Sequence, residues 1–454
     1  MPPFIQFLGA AGTVTGSKFL FQTKDFKALI DCGLFQGLKE LRILNREKLP
    51  VTPSSIDCVI LTHAHLDHCG YLPLLVKNGF KGKIYCTTPT RELAKIILMD
   101  SARIQEEDAE YANKMGFSKH SPAEPLYTTL DAQKALKLFT IADINQWIKI
   151  SKEIKIRFSN SGHIIGSAFI ELNHNGKKTV FSGDLGRTKP MMLQKRAMIT
   201  KADYLVVEST YGDRLHTKDR PLEILERIIN ETVKRKGHLI IPSFAVGRAQ
   251  ELIYLINKLK KQKRIPQIPV FLDSPMAIHA TEIFLSNPNW HTLSAKEVRD
   301  FLENTSLVKN QQQSQELSRS KHSTIVIAGS GMVTGGRVLH HLEKRLSDPR
   351  NTVLLAGYQA PGTRGRLLAD SAPEIKMFGT YIPVKARIET ISSLSAHADQ
   401  GEILSWLKGF KTPPKKTFIV HGELQAANAL RIKIQDTLNW FAEVPTALSI
   451  KNLD

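Results

Sequence analysis

The segment His63-Ala64-His65-Leu66-Asp67-His68 constrains this chain more than any other. Four side chains able to hold a metal ion fall within six positions, too dense for a chance cluster of surface histidines. In extended backbone, residues two apart project to one side, so His63, His65 and Asp67 are expected to point one way and His68 another. One loop then offers ligands to two neighbouring ions. The apolar run Cys58-Val59-Ile60-Leu61 precedes it and Gly70-Tyr71-Leu72-Pro73-Leu74-Leu75 follows. That context puts the loop at the carboxyl end of a strand, where sites in α/β proteins collect.

Two ions need more ligands than one loop supplies. Three candidates stand far off: His163 in Ser161-Gly162-His163, Asp184 in Ser182-Gly183-Asp184, and His421 in Val420-His421-Gly422-Glu423. Each ends an apolar stretch and adjoins glycine, a setting that taken singly fits a turn residue. Together with the first loop they supply what two zinc ions require, and a His-rich donor set suits zinc.

Length and charge narrow the rest. A chain of 454 residues suggests two or three domains. With 62 Lys+Arg against 43 Asp+Glu the formal charge is +19 and the pI about 9.6, which favours a polyanionic partner or a solubilising basic surface. Cys32, Cys58, Cys69 and Cys86 form no C-x-x-C pair and are too sparse for a disulfide framework, so a reducing cytoplasm fits best. Met1-Pro2-Pro3-Phe4 lacks a positively charged leader, and no apolar run reaches the roughly 18 residues of a membrane span; a soluble, unprocessed protein is expected.

Along the chain the texture changes near Glu208. Before it, short apolar strands at 26–30, 59–61 and 179–181 alternate with Gly-containing turns, interrupted by a long helical pattern over 90–115. After it come strand-then-helix units, 238–241 then 248–261 and 324–328 then 337–346, which predict a parallel, doubly wound sheet. The polar stretch 305–323, with Gln311, Gln312 and Gln313 in a row, reads as a surface loop, and no fixed period points to a solenoid. His421 lies more than 350 residues after His63, so if both hold the same ions the strand-helix block between them is an insertion.

Within that block, 243–248 and 329–337 each follow an apolar strand and open a helix, so free backbone amides and the helix dipole are expected to face a common cleft that binds anions. The glycines of 329–337 allow close backbone approach to a phosphate, Ser243, Ser330 and Gly331 are candidate substrate-binding residues of the two loops, and Arg248 and Arg337 can add bidentate bonds. Arg364, in Gly357-Tyr358-Gln359-Ala360-Pro361-Gly362-Thr363-Arg364-Gly365-Arg366, could track a nucleic-acid backbone. The basic run 258–264 fits a solvated helix end.

The loop His63 to His68 resembles the H-x-H-x-D-H loop of the metallo-β-lactamase superfamily, whose later ligands match His163 and Asp184. The resemblance implies an αββα sandwich with one zinc held by His63, His65 and His163, the other by Asp67, His68 and His421, and Asp184 bridging both. Asp31, in Leu29-Ile30-Asp31-Cys32-Gly33, matches the family's first acidic motif and implies an acceptor behind the ligands; on its own it also fits an Asp that closes a turn. Further motifs resemble the β-CASP subfamily of nucleases: Glu208-Ser209-Thr210-Tyr211-Gly212, Phe244-Ala245-Val246-Gly247-Arg248, the segment 329–337, and Ser395-Ala396-His397-Ala398-Asp399. They imply a first lactamase part over 1–207, an inserted β-CASP domain over 208–385 and a returning lactamase part over 386–454.

That resemblance implies a zinc-dependent phosphodiester hydrolase with two zinc ions per chain. A hydroxide shared by the ions attacks phosphorus in line, His397 is the general acid, and Glu208 orients it. A histidine at position 421 matches the RNA-cleaving branch, whereas the DNA-repair branch tends to carry valine, so single-stranded RNA is the expected partner, in the cytoplasm and without a membrane. The layout resembles the short, stand-alone bacterial type, similar to the catalytic core of the mRNA 3′-end-processing endonuclease. Endonuclease versus 5′-to-3′ exonuclease mode and homodimer formation stay open. The competing readings are a DNA nuclease of the same fold, a small-molecule hydrolase on the same metal loop, and a catalytically inactive RNA-binding subunit, which retention of all seven ligands opposes.

Overall fold

The computed structural model describes residues 2–116, 121–217, 219–360 and 362–454; Met1 and Pro361, each in a segment read above, lie outside the described residues. The chain divides into two compact units, Met1–Leu215 with His397–Asp454, and His216–Ala396.

The first unit is built on two seven-stranded sheets. One runs Ile450–Asn452, Phe4–Phe7, Phe19–Gln22, Lys27–Ile30, Cys58–Ile60, Lys83–Cys86 and Phe139–Ile141; the other runs Ala442–Glu443, Lys416–Val420, Tyr204–Glu208, Lys177–Phe181, Ala168–His174, Ile154–Asn160 and Ile148–Lys149. Alternation along the strands makes the sandwich. In Ile154–Asn160 the side chains of Ile154, Ile156 and Phe158 are buried while Lys155 is exposed, the period-two pattern of a strand with one face on a core. Those residues meet Ile5, Phe7, Phe19 and Phe21 of the other sheet in one apolar cluster. On the second sheet's far face, Phe169, Val180, Leu205 and Val207 pack beneath Trp406, Leu407, Leu430 and Ile434 of helices Gln400–Leu407 and Leu424–Leu438. Helices Leu72–Lys77, Thr88–Met115 and Thr129–Leu136 pack together beside the first sheet, completing an αββα sandwich. Thr87 starts the long helix by accepting from the Thr90 amide, and Gly116 ends it in the left-handed conformation.

The connection across the insertion is fixed by one strand pair. Tyr204–Glu208 runs parallel to Lys416–Val420, with Glu208 opposite Val420, so the chain leaves the sheet at Glu208 and resumes it at the neighbouring strand. His421 thereby arrives beside Ser209, whose amide donates to the His421 carbonyl at 3.2 Å.

The second unit holds a six-stranded, wholly parallel sheet, in the order Ser306–Leu307, Val270–Asp273, Ile325–Ala328, Leu239–Pro242, Thr352–Ala356 and Arg387–Ile391, plus a hairpin, Glu374–Met377 with Thr380–Pro383. The compact unit His216–Ala396 leaves Glu208 in the sandwich sheet and takes in Arg387–Ile391, which pairs with Thr352–Ala356. One expectation changes here. The stretch 305–323 is not a loop: it contains a short strand, Ser306–Leu307, and a helix, Gln311–Ser318, started by the Asn310 side chain and seated through buried Ser314 and Leu317. Three consecutive glutamines hide a helix whose buried face is a single i, i+3 pair. Among the described residues no helix is long and apolar enough to cross a membrane.

Candidate dimetal active site

All seven expected metal ligands lie in the first unit and converge. His63, His65, His163 and Asp184 form one group and Asp67, His68 and His421 another, with the candidate ligand atoms of each within 4.8 Å of one another. The grouping differs from the expectation of an extended loop. Leu66–Cys69 is a helical turn, which swings Asp67 away from His63 and His65 and onto His68's side.

Partners behind the rings fix which nitrogen faces inward. His63 Nδ1 lies 3.0 Å from the Thr62 hydroxyl, which itself donates to Asp31 Oδ2 at 2.8 Å, so the ring donates outward and its Nε2 lone pair faces the site. His68 Nδ1 sits 2.8 Å from the same Asp31 oxygen, leaving Nε2 inward. His421 Nδ1 sits 3.1 Å from the Thr210 hydroxyl and 3.4 Å from Asp184 Oδ1, while its Nε2 lies 3.3 Å from Asp67 Oδ2. Asp31 is held in place by the Thr62 amide at 2.7 Å, and its own backbone takes φ of 57°.

The inward nitrogens crowd one another. His65 Nδ1 is 3.1 Å from both His63 Nε2 and His163 Nε2, and His68 Nε2 is 3.1 Å from His421 Nε2. Asp184 spans the two groups: Oδ2 lies 3.3 Å from His63 Nε2 and 3.4 Å from His163 Nε2, while Oδ1 lies 3.3 Å from His68 Nε2. That buried Oδ1 has no hydrogen-bond partner among the described residues. Lone pairs aimed at one another beside an orphaned carboxylate oxygen fit a pair of bound cations, one on each side of Asp184. Gly183 makes Asp184's position possible, since its φ is 51° and a Cβ there would come within 2.8 Å of Thr62.

Electrostatics divide the ligand rings: burial lowers His163 as it does His63 and His65, whereas His68, which burial also pulls down, is pushed well above the ordinary imidazole value by the Asp184, Asp31 and Asp67 carboxylates. Burial takes His63 down to about 3 and His65 to about 4, so both rings stay neutral at physiological pH. Burial alone would push the carboxyls up, but the surrounding histidines outweigh it and hold Asp67 and Asp184 below the usual range.

Beside this centre, His397 Nδ1 lies 3.3 Å from Glu208 Oε1 and 3.9 Å from Asp184 Oδ2, and its ring centroid is 4.4 Å from that of His163. Glu208 is fully buried and held at both oxygens, by the Leu185 amide at 2.6 Å and the Thr210 amide at 3.2 Å. Burial pulls the His397 imidazolium down, yet the Glu208 and Asp184 carboxylates win and push it up to about 9.

The residues expected to bind substrate sit in the second unit, on loops after adjacent parallel strands. Ser243 follows Leu239–Pro242, Ser330 and Gly331 follow Ile325–Ala328, and 357–360 follow Thr352–Ala356, so the loops meet at the sheet's carboxyl edge, where Gln359 Nε2 donates to the Gly331 carbonyl at 3.1 Å. The Ser243 hydroxyl donates to the neighbouring Phe244 carbonyl at 3.1 Å, and the Ser330 hydroxyl accepts from the Thr334 amide at 3.1 Å. The arginines depart from expectation. Arg337 is turned inward to Asp273 Oδ1 at 2.8 Å and the Val308 carbonyl at 2.9 Å, Arg364 donates to the Lys376 carbonyl at 2.7 Å, and Arg248 is buried against Glu251. Their forked donors satisfy acceptors at loop ends and so brace the loops. Thr62 and Thr210 escaped the sequence reading; the available signal was a hydroxyl directly beside a ligand histidine and two residues beyond Glu208.

Fold and site together define a metallo-hydrolase of the metallo-β-lactamase superfamily. Residues 20–210 match the metallo-β-lactamase superfamily domain, 249–368 the Beta-Casp domain and 381–445 the Zn-dependent metallo-hydrolase RNA specificity domain. The chain belongs to the β-CASP family of that superfamily. It is 35% identical over 433 residues to Ribonuclease TTHA0252 of Thermus thermophilus, covering 93% of this chain and 94% of that one. It is 32% identical over 454 residues to an RNase J-like protein of Methanocaldococcus jannaschii, covering 98% of each. Transcription termination factor FttA of the same archaeon is 32% identical over 441 residues, covering 92% of this chain and 67% of that protein. A crystal structure of a protein of unknown function from Enterococcus faecalis V583 superposes with a TM-score of 0.57 at 12% identity, covering 100% of both chains, and shows a shared fold.

Proposed function

We propose that this protein is a zinc-dependent ribonuclease that hydrolyses phosphodiester bonds of single-stranded RNA with His397 as general acid. The observation that carries the reading is the pairing of two converging ligand groups across Asp184 with a histidine held by a buried glutamate beside them. Two bound zinc ions would supply Lewis acidity and an activated water near neutral pH. The chain's own residues do the rest. Asp31 and Thr62 keep the His63 and His68 rings in the tautomer that presents Nε2, and Asp184 offers one oxygen to each side. Glu208 holds the proton on His397, which passes it to the departing ribose oxygen. RNA as substrate is supported by the ribonuclease and RNase J-like relatives, by the match to an RNA specificity domain and by the basic charge of +19. Four free, buried cysteines suit a reducing cytoplasm.

The test is cleavage of end-labelled single-stranded RNA, offered beside a DNA strand of matched sequence, with and without a chelator, together with zinc analysis of the purified protein. Cutting of RNA that stops on metal removal and returns with zinc is expected, at about two zinc ions per chain. Cleavage that survives complete metal removal, or preference for the DNA strand, overturns the reading.

A further inference from the structure

The hairpin Glu374–Met377 with Thr380–Pro383 closes through a two-residue turn, Phe378-Gly379, since Met377 pairs with Thr380. Both turn residues have positive φ, 48° at Phe378 and 83° at Gly379. Such turns are ordinarily filled by Asn-Gly, Asp-Gly or Gly-Gly, because a bulky side chain is strained in the left-handed region. Burial does not compensate for that strain. Ile375, Met377 and Ile382 bury the hairpin's inner face, whereas Phe378 is 53% exposed at the tip. Strain without packing return is retained where the side chain serves a ligand.

The Phe378 ring has company. It stacks on exposed His340, with ring centroids 4.9 Å apart and planes 18° from parallel. Tyr381, 59% exposed on the hairpin's outer face, carries Lys376 Nζ 5.5 Å from its ring centre. Arg364 ties the hairpin to the glycine-rich loop: its Nε donates to the Lys376 carbonyl at 2.7 Å and its Nη1 lies 3.3 Å from the Thr334 carbonyl. His340 lies on the helix Val338–Arg345 that the same loop opens. Exposed rings, two of them already stacked and the third with the Lys376 ammonium beside it, braced to the glycine-rich loop, are what an unpaired polynucleotide strand needs from a surface.

We propose that His340, Phe378 and Tyr381 form a stacking platform for the bases of a single-stranded RNA. The proposal rests on the ribonuclease reading for its ligand class. Stacking is worth enough per base for removal of one ring to weaken binding about tenfold.

The experiment compares wild type with Phe378→Ala, Phe378→Asn and Phe378→Trp, using a 5′-labelled single-stranded RNA and, separately, bis(p-nitrophenyl) phosphate, a phosphodiester without bases. Phe378→Ala and Phe378→Asn are expected to raise KM for RNA about tenfold, with kcat and the small-ester rate unchanged, and Phe378→Trp to restore KM. Phe378→Asn relieves the strained turn, so its thermal midpoint is expected to equal or exceed wild type's while its RNA affinity falls, an outcome that a purely structural phenylalanine would not give. A KM within twofold of wild type in both truncated variants overturns the platform alone. Wild-type protein that binds RNA without cutting it overturns the ribonuclease reading, and a Kd raised about tenfold in Phe378→Ala then still supports the platform. Wild-type protein that neither binds nor cuts RNA overturns both.

Discussion

Asp31 does three jobs with two oxygens. It accepts from the Thr62 amide, the Thr62 hydroxyl and His68 Nδ1, and so sets the outward tautomer of two ligand rings from one point. Replacing it by Asn keeps the volume but removes the negative charge behind His68. Asp31→Asn is therefore expected to lower zinc affinity by roughly 10- to 100-fold in competition with a chelator, with the fold retained by circular dichroism. His397 and Glu208 give a second prediction. The carboxylates lift His397 to about 9, so the acid form persists through neutral pH and activity should fall as pH rises past that value. Removing Glu208's charge takes away the largest upward influence, so in Glu208→Gln the alkaline limb of the kcat–pH profile should move to lower pH. An unmoved limb would remove Glu208 from this role. His397→Ala should keep its zinc while losing roughly 10²- to 10⁴-fold in kcat. At this scale residue types and spacing showed which side chains gather, and the family resemblance showed how they divide. Four ligand-type residues were visible in one loop and three more beside glycine at the ends of apolar stretches; extended spacing put Asp67 with His63 and His65, whereas the family resemblance put it with His68 and His421, the grouping that the turn Leu66–Cys69 produces.

Elements reveal where sequence pattern and packing part company. Short apolar strands, such as Lys177–Phe181, and apolar-periodic helices, such as Arg248–Lys261, lie where the pattern puts them. Helix Gln311–Ser318 does not announce itself, because most of its surface is polar and its anchor is Ser314 with Leu317. Ser314 donates to buried Asp273, which also holds His341 at 2.6 Å and Arg337, so this small helix is tied to the loop-bracing network. Leu317→Ala should then destabilise the inserted unit by about 2 to 5 kcal/mol in a urea titration, whereas a side chain on a surface loop would show almost no change.

For the whole molecule, the insertion was legible because His63 and His421 cannot share a site unless the intervening block folds aside. The sheet that Arg387–Ile391 joins was not, since it looks like any other strand until its partner is known. Charge also belongs to this scale. If a chain with net charge +19 holds RNA through its phosphates, raising salt from about 50 to about 200 mM should weaken binding of uncleaved RNA at least tenfold, with a linear log–log slope. A flat salt response would mean that the basic excess is only solubilising.

The strand pair Tyr204–Glu208 with Lys416–Val420, together with Phe4–Phe7 bonded to Ile450–Asn452, sets an order of events during synthesis. When a ribosome has made residues up to 400, Arg387–Ile391 can already pair in the inserted sheet, yet His421 and the strand before it, Lys416–Val420, do not exist. The second ligand group stays open until residue 421 has been made, and Phe4–Phe7 waits for Ile450–Asn452 to complete its sheet. A product abandoned partway therefore emerges with one ligand group complete and the other lacking its last histidine.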